Sequence, residues 1–168
     1  MQYIGNYEDW IKPAWLDYMS NTTGKIAPKL EKEAYSNVTH NCFTEYEHSL
    51  HREVWYETFE PANFPFEFEC PFGDIDKTDW WFVKMSPGGA LPMHIDGSDT
   101  KKWGDQEPRR FWMPLNDYTD GHIYISEDVF YPHYKAGDVF EHNGKMHGGA
   151  NINTKDVVRI TLNFWIYK

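Results

Sequence analysis

Cysteine is scarce in this 168-residue chain, and the two present, Cys42 and Cys70, form neither a disulfide framework nor the paired spacing of a zinc site. Arginine is almost as rare: Arg52, Arg109, Arg110 and Arg159 are the full set, and no basic run occurs. With 16 Lys plus Arg against 26 Asp plus Glu, the formal net charge is −10. That is the wrong sign for a protein that tracks phosphates, so nucleic acid is not an expected partner. No apolar stretch approaches the ~18 residues that a membrane span needs. The opening MQYIGNYEDW lacks a basic segment followed by an apolar run, so a cytoplasmic protein without a membrane partner is expected.

Aromatic residues are abundant, with 8 Trp, 11 Tyr and 11 Phe, and hydrophobic residues make up 40% of the chain. This composition excludes disorder and favours strands. The length fits a single domain over 1–168. Its texture changes near residue 78: residues 1–78 hold fourteen acidic and six basic side chains, residues 79–168 twelve and ten. The first part reads as a helical and irregular support region. Glu8 to Met19, around Trp10, Ile11, Trp15 and Leu16, and Glu45 to Tyr56, with Leu50, Val54 and Trp55, carry helix-like spacing, although Pro13 interrupts the first. Pro61 to Phe72, rich in Phe and Pro, reads as irregular or as an edge segment.

From residue 79 onward the pattern is of short strands: Asp79 to Ser86, Leu91 to Asp96, Arg110 to Leu115, Gly121 to Ser126, Val129 to Tyr134, Asp138 to His142, Met146 to Asn151 and Val157 to Tyr167. Turn residues such as Pro87-Gly88-Gly89, Asn116-Asp117, Gly137-Asp138 and Asn143-Gly144 separate them. Many short strands after a helical segment predict a mainly β protein, a jelly-roll sandwich or barrel with N-terminal helices against one sheet.

Three patterns in this β region carry chemistry. In Met93-His94-Ile95-Asp96 the two-residue period of a strand puts His94 and Asp96 on one face, where an imidazole and a carboxylate could take adjacent positions on a divalent metal. One more histidine would complete the facial triad of a non-haem Fe(II) site. His147 is the candidate; His142 is the alternative, but it stands just before the Asn143-Gly144 turn. The last strand alternates cleanly, with Arg159, Thr161 and Asn163 on one face and Val158, Ile160, Leu162 and Phe164 on the other. An inward arginine is costly unless it meets an anion, and a carboxylate would take it in two hydrogen bonds with the Thr161 hydroxyl as a further donor.

His94-x-Asp96, His147 and Arg159-x-Thr161, in this order, resemble the Fe(II)/2-oxoglutarate-dependent oxygenase superfamily over residues 79–168. The resemblance implies a double-stranded β-helix core of cupin-like form. It implies Fe(II) on His94, Asp96 and His147, 2-oxoglutarate as cosubstrate with its distal carboxylate on Arg159 and Thr161, O2 as oxidant, and hydroxylation of a C–H bond as the default outcome. Arg109 and Arg110 open the strand after the His-x-Asp loop, and Arg110 shares a face with Trp112 and Pro114. An arginine here resembles the aspartyl/asparaginyl β-hydroxylase-like and free-proline-hydroxylase branch, which implies contacts from Arg109, Arg110 and Trp112 to a carboxylate of an amino acid, peptidyl residue or small metabolite. Surface ion pairs of the two arginines with Asp105 or Glu107 are the alternative. The polar stretch Gly97 to Pro108 is placed to act as a lid. His122, His133, His40, His48 and His51 read as surface or satisfied core residues, and Trp80, Trp81 and Trp103 mostly as packing.

Two other functions use the same residues differently. A metal cupin of another class has no need of Arg159-x-Thr161, and a binding module for an acidic ligand has no need of the metal triad. A nucleobase-demethylating oxygenase fits poorly, because Asn153 stands six residues after His147 where that branch resembles one with a second arginine. Substrate identity and oligomeric state are not written in the sequence.

Overall fold

The computed structural model describes residues 1–26, 56–95, 104, 106–127 and 129–168. Eleven strands fall into two antiparallel sheets: β1 (Gln2–Asn6), β2 (Lys25–Ile26), β3 (Glu57–Phe59), β4 (Thr78–Met85), β5 (Ala90–His94), β6 (Arg109–Pro114), β7 (His122–Ser126), β8 (Val129–Phe130), β9 (Asp138–His142), β10 (His147–Asn151) and β11 (Arg159–Ile166). The larger sheet runs β1-β9-β6-β11-β4-β3-β2 and the smaller β5-β10-β7-β8. From β4 onward the chain passes between the sheets at nearly every connection. This gives two facing four-stranded halves, β9-β6-β11-β4 and β5-β10-β7-β8. That winding is the jelly roll, or double-stranded β-helix, expected from the strand pattern.

The N-terminal region differs from expectation in its strands. β1, β2 and β3 extend the larger sheet at both ends, so this region adds sheet as well as cover. The helix expected over Glu8 to Met19 is split into a 3-10 turn (Glu8–Trp10) and helix α1 (Pro13–Asn21). Pro13 explains the break: its ring cannot continue a helix from the preceding turn, but its fixed φ suits a first helical position. The helix expected over Glu45 to Tyr56 lies outside the described residues except for Tyr56, which is in no element. The strand expected over Val129 to Tyr134 is only Val129–Phe130, ended by Pro132 and by His133 at φ 62°.

The clean alternation of β11 sets the packing. Ile160, Leu162 and Phe164 face outward from the jelly roll, joining Phe82, Phe111, Met113 and Val139 under a lid made by Trp15 and Met19 of α1 with Phe64 and Phe68. The main apolar core therefore lies outside the β sandwich, between the larger sheet and the N-terminal cover. Aromatic contacts tie the two together, among them Phe68 stacked on Trp80 at 4.3 Å. At the end of α1, Lys84 of β4 donates to the Met19 and Thr22 carbonyls at 3.1 and 2.9 Å and pairs with Glu57 at 3.1 Å. It satisfies helix-end carbonyls that would otherwise be buried without donors. With the apolar core displaced to the outer face, the interior between the sheets is free to be polar.

Candidate active site between the sheets

The inner faces of the two sheets carry an unusual set for a sandwich core. His94, His122, Ser126 and His147 come from the smaller sheet, and Arg110, His142, Arg159, Thr161 and Asn163 from the larger. Most are buried, so each must find a partner or hold a place for one.

The two histidines expected as metal ligands meet. β5 and β10 are neighbours, and His94 stands opposite His147 in their register. The rings lie 4.4 Å apart between centroids. The His147 Nδ1 is 2.8 Å from the Lys145 carbonyl oxygen. A carbonyl can only accept, so Nδ1 carries the proton and Nε2 keeps its lone pair, the tautomer a metal ligand requires. His142, the alternative ligand, is adjacent at 5.0 Å from the His147 ring. Its Nδ1 instead accepts from the Gly144 amide at 3.3 Å, which puts the proton of the neutral ring on Nε2. These two hydrogen bonds favour His147 over His142 as the ligand. Asp96 lies outside the described residues, as do Trp103, Cys42, His40, His48, His51 and residues 97–103 and 105 of the Gly97 to Pro108 stretch. Among the described residues no three His, Cys, Asp or Glu side chains form a metal-holding group.

Arg159 faces the histidine pair from β11 and is almost wholly buried. Its Nη1 donates to the Met85 sulfur at 3.4 Å, a weak acceptor, while Nε and Nη2 have no hydrogen bond of good geometry among the described residues. The rings of Trp112 and Tyr124, stacked on each other at 4.1 Å, lie 5.7 and 5.9 Å from the guanidinium. Cation–π contacts hold the charge without using its N–H groups. Thr161, two residues on, lines the same small cavity, of about 10 Å³, together with Met85, Leu91, Trp112, Tyr124 and His147. That space holds about one water. Gly149 makes the approach possible: a Cβ there would lie 3.2 and 3.4 Å from Arg159 Nη1 and Nη2 and 2.9 Å from the Ile123 carbonyl.

Arg110 lies beyond the histidines. It pairs in register with His142, sits over the Trp165 ring at 5.1 Å and fills the space left by Gly144, where a Cβ would come within 2.9 Å of it. Its Nη1 reaches the exposed Glu107 at 3.3 Å, and its buried Nε has no partner among the described residues. The two arginines part company here. Arg109 projects to the opposite face and is held by Glu141 through two hydrogen bonds of 2.8 Å, which places it away from the candidate site. Alternation along β6 forces this, since adjacent residues cannot share a face. Trp112 is inward as expected and packs against Arg159.

His122, expected as a surface or satisfied core residue, is a core one. It is fully buried on the inner face of β7, its Nδ1 3.5 Å from the Tyr134 hydroxyl. Burial, and secondarily the Arg159 charge, lower its pKa to about 4, so the ring is neutral. Its signal in the sequence was the alternation His122-x-Tyr124-x-Ser126, which puts a histidine on the same face as an aromatic already facing inward.

No family model matches the chain, and no match is found among curated proteins. Among solved structures, 140 chains match. One is described as a predicted oxalate decarboxylase from Thermotoga maritima, with 16% identity, a TM-score of 0.44, and coverage of 67% of this chain and 81% of that one. Another is a Cupin 2 conserved barrel domain protein from Salinispora arenicola, with 15% identity, a TM-score of 0.40, and coverage of 66% and 75%. A third is an RmlC-like cupin from Desulfovibrio desulfuricans, with 14% identity, a TM-score of 0.39, and coverage of 56% and 76%.

Proposed function

We propose that this protein is a non-haem Fe(II)- and 2-oxoglutarate-dependent oxygenase acting on a small or peptidyl substrate that bears an anionic group. The observation that carries this reading is the pairing of His94 with His147 beside a buried guanidinium whose Nε and Nη2 lack partners among the described residues. A metal site of another cupin class has no use for that arginine, and a binding module has no use for the oriented His147.

The donor set fits the groups the reading requires. Two neutral imidazoles suit a divalent iron, and the sequence supplies Asp96, two residues after His94, as the carboxylate. Arg159 and Thr161 offer a carboxylate both charge and hydrogen bonds, with Met85 as the contact it replaces. When bound, iron with 2-oxoglutarate and O2 would supply the oxidation of an unactivated C–H bond, one oxygen atom going to the substrate and one to succinate, with CO2 released. The chain's own part is to place and protect. His147 is aimed by the Lys145 carbonyl, Trp112 and Tyr124 keep water from the Arg159 end, and Arg110 presents charge on the other side of the histidines. A carboxylate of the substrate on Arg110 would displace Glu107, whose single contact is solvent-exposed and weak.

The test is anaerobic titration of metal-free protein with Fe(II) and then 2-oxoglutarate, following the visible charge-transfer band of the chelate. The band should form in wild type, vanish in His147→Ala, and require far more 2-oxoglutarate in Arg159→Ala. Metal binding without a 2-oxoglutarate band would favour a cupin of another class, and absence of both would leave a binding module.

A further inference from the structure

At the other end of β11 from Arg159, two further donors are buried side by side. Arg110 of β6 and Trp165 of β11 stand directly opposite each other in register, so their side chains share the inner face. The Arg110 Cζ lies 5.1 Å from the Trp165 ring centroid. Each residue is 7% exposed, and the Arg110 Nε and Trp165 Nε1 have no hydrogen-bond partner among the described residues. A buried indole N–H ordinarily finds an acceptor, and so does a guanidinium N–H. Most of the packing around the two is fixed. β6 runs between β9 and β11, so Arg110 has Trp165 on one side and, on the other, His142 in register and Gly144, whose Cβ would come within 2.9 Å of the guanidinium. Trp81 meets Trp165 edge-to-face at 5.0 Å. Glu107 is the loose cover: it reaches Arg110 Nη1 at 3.3 Å, and its side chain is 81% exposed.

Two buried donors without acceptors, one charged and one neutral, on opposed residues make a place for a pair of anionic oxygens. We infer that Trp165 is a specificity-determining residue whose indole N–H, together with Arg110, receives the carboxylate of the substrate. This deepens the proposed function and rests on its assignment of Arg110 to the substrate's anionic group. The donor chemistry selects a carboxylate over a phosphate. One guanidinium balances a single negative charge, and the indole adds a hydrogen bond without a second positive charge, so a phosphate dianion would leave charge unbalanced in a buried site. A carboxylate also carries two oxygens, one for each donor residue. On binding, the surface carboxylate of Glu107, held through Nη1, gives way to one that also engages Nε and the Trp165 Nε1. A neutral amide or alcohol at this position would leave the buried guanidinium without a counter-charge, which is the source of the selectivity.

Trp165→Phe removes the N–H and keeps an aromatic ring beside Arg110, and Arg110→Met removes the charge. The probe is acetate, titrated at constant ionic strength into 15N-labelled metal-free protein without 2-oxoglutarate. NMR follows the Nε–Hε signals of the four arginines and the indole signals of the eight tryptophans together, and the two variants assign Arg110 and Trp165. In wild type, acetate should move the Arg110 and Trp165 signals with one dissociation constant. Binding should be about tenfold weaker in Trp165→Phe, the scale of one hydrogen bond to a charged group. In Arg110→Met no indole signal should move, which keeps the test decisive where Trp165→Phe does not fold. An Arg110 signal that moves while all eight indoles stay still, or equal affinity in wild type and Trp165→Phe, overturns the role of Trp165. Stillness of both signals overturns the site. Inorganic phosphate moving both at lower concentration than acetate overturns the choice of carboxylate. Acetate taken up at Arg159 registers on that arginine's own signal. The oxygenase reading fails separately: both signals responding in a protein that forms no charge-transfer band with Fe(II) and 2-oxoglutarate leaves the anion site in a protein of another function. A band with neither signal responding leaves an oxygenase without this site. Near-UV circular dichroism confirms that each variant is folded.

Discussion

Gly149 carries more of the site than its lack of a side chain suggests. It sits between the Ile123 carbonyl and the Arg159 guanidinium, so an added methyl must push one of them. The carbonyl belongs to a paired strand and does not yield, which leaves the arginine to move. Gly149→Ala should therefore weaken 2-oxoglutarate binding by about tenfold and cost roughly 1–3 kcal/mol of stability; calorimetry and urea unfolding measure the two. Weak binding without lost stability would mean that the guanidinium alone adjusts. His122 gives a pH dependence at the same scale. Its folded pKa of about 4 lies below the 6.5 of an unperturbed histidine, so the unfolded chain binds a proton in this window that the folded chain refuses. Its contribution is complete above pH 6.5 and is lost as pH falls toward 4, by up to about 3 kcal/mol. In His122→Gln, urea unfolding from pH 6.5 down to 4 should show a stability slope shallower by up to one proton. A slope equal to that of wild type would mean that the ring is not held neutral in the fold.

At the scale of elements, the lysine in the middle of β4 ties the N-terminal cover to the sheet. Lys84→Met leaves the half-buried Glu57 carboxylate with the Gly24 amide, at 2.7 Å, as its one partner among the described residues, and strips the donor from the Met19 and Thr22 carbonyls. The expected cost is about 3–5 kcal/mol in urea unfolding, since a buried charge loses its partner. Glu57→Leu combined with Lys84→Met should recover part of it, the remainder being the carbonyls at the end of α1. Equal losses in the single and double variants would show that the helix end, not the ion pair, dominates. This clasp was open to sequence reasoning, because a lone lysine inside Trp80-Trp81-Phe82-Val83-Lys84-Met85 demands a buried acceptor. Finding Glu57 was not, because the partner is 27 residues away and nothing local marks it. The same contrast runs through the fold. β11 was legible because Arg159, Thr161 and Asn163 alternate with Ile160, Leu162 and Phe164, and that period fixed which face carries the site. β1 was not, because its pattern is exposed and interrupted by Gly5, and it exists through pairing with β9. His94 and His147 could be named from residue type and order. His122 could not be ranked above the other histidines, because its contact Tyr134 lies beyond the interruption of the strand pattern at Pro132.

For the whole molecule, the arrangement that matters is the division of labour between the two faces of the larger sheet. Its outer face buries the apolar core under the N-terminal cover, and its inner face holds Arg110, His142 and Arg159. Folding energy thus comes mainly from one side of the sheet, and the cost of burying partly satisfied charges falls on the other. A ligand that satisfies those charges binds only the folded chain, so it must raise apparent stability by mass action, by about 2.7 kcal/mol at a concentration one hundred times its dissociation constant. For a domain of this size that corresponds to roughly 5–10 °C in Tm, given about 2–4 °C per kcal/mol. Mn(II) and 2-oxoglutarate added together should reach this shift in wild type. The two halves of the site should also come apart by mutation. In Arg159→Met, Mn(II) should still raise Tm while 2-oxoglutarate adds nothing, and in His147→Ala neither should act. Differential scanning calorimetry across the set reads this directly. A 2-oxoglutarate shift that survives Arg159→Met would place the anion elsewhere in the cleft, at Arg110, and reverse the assignment of its two ends.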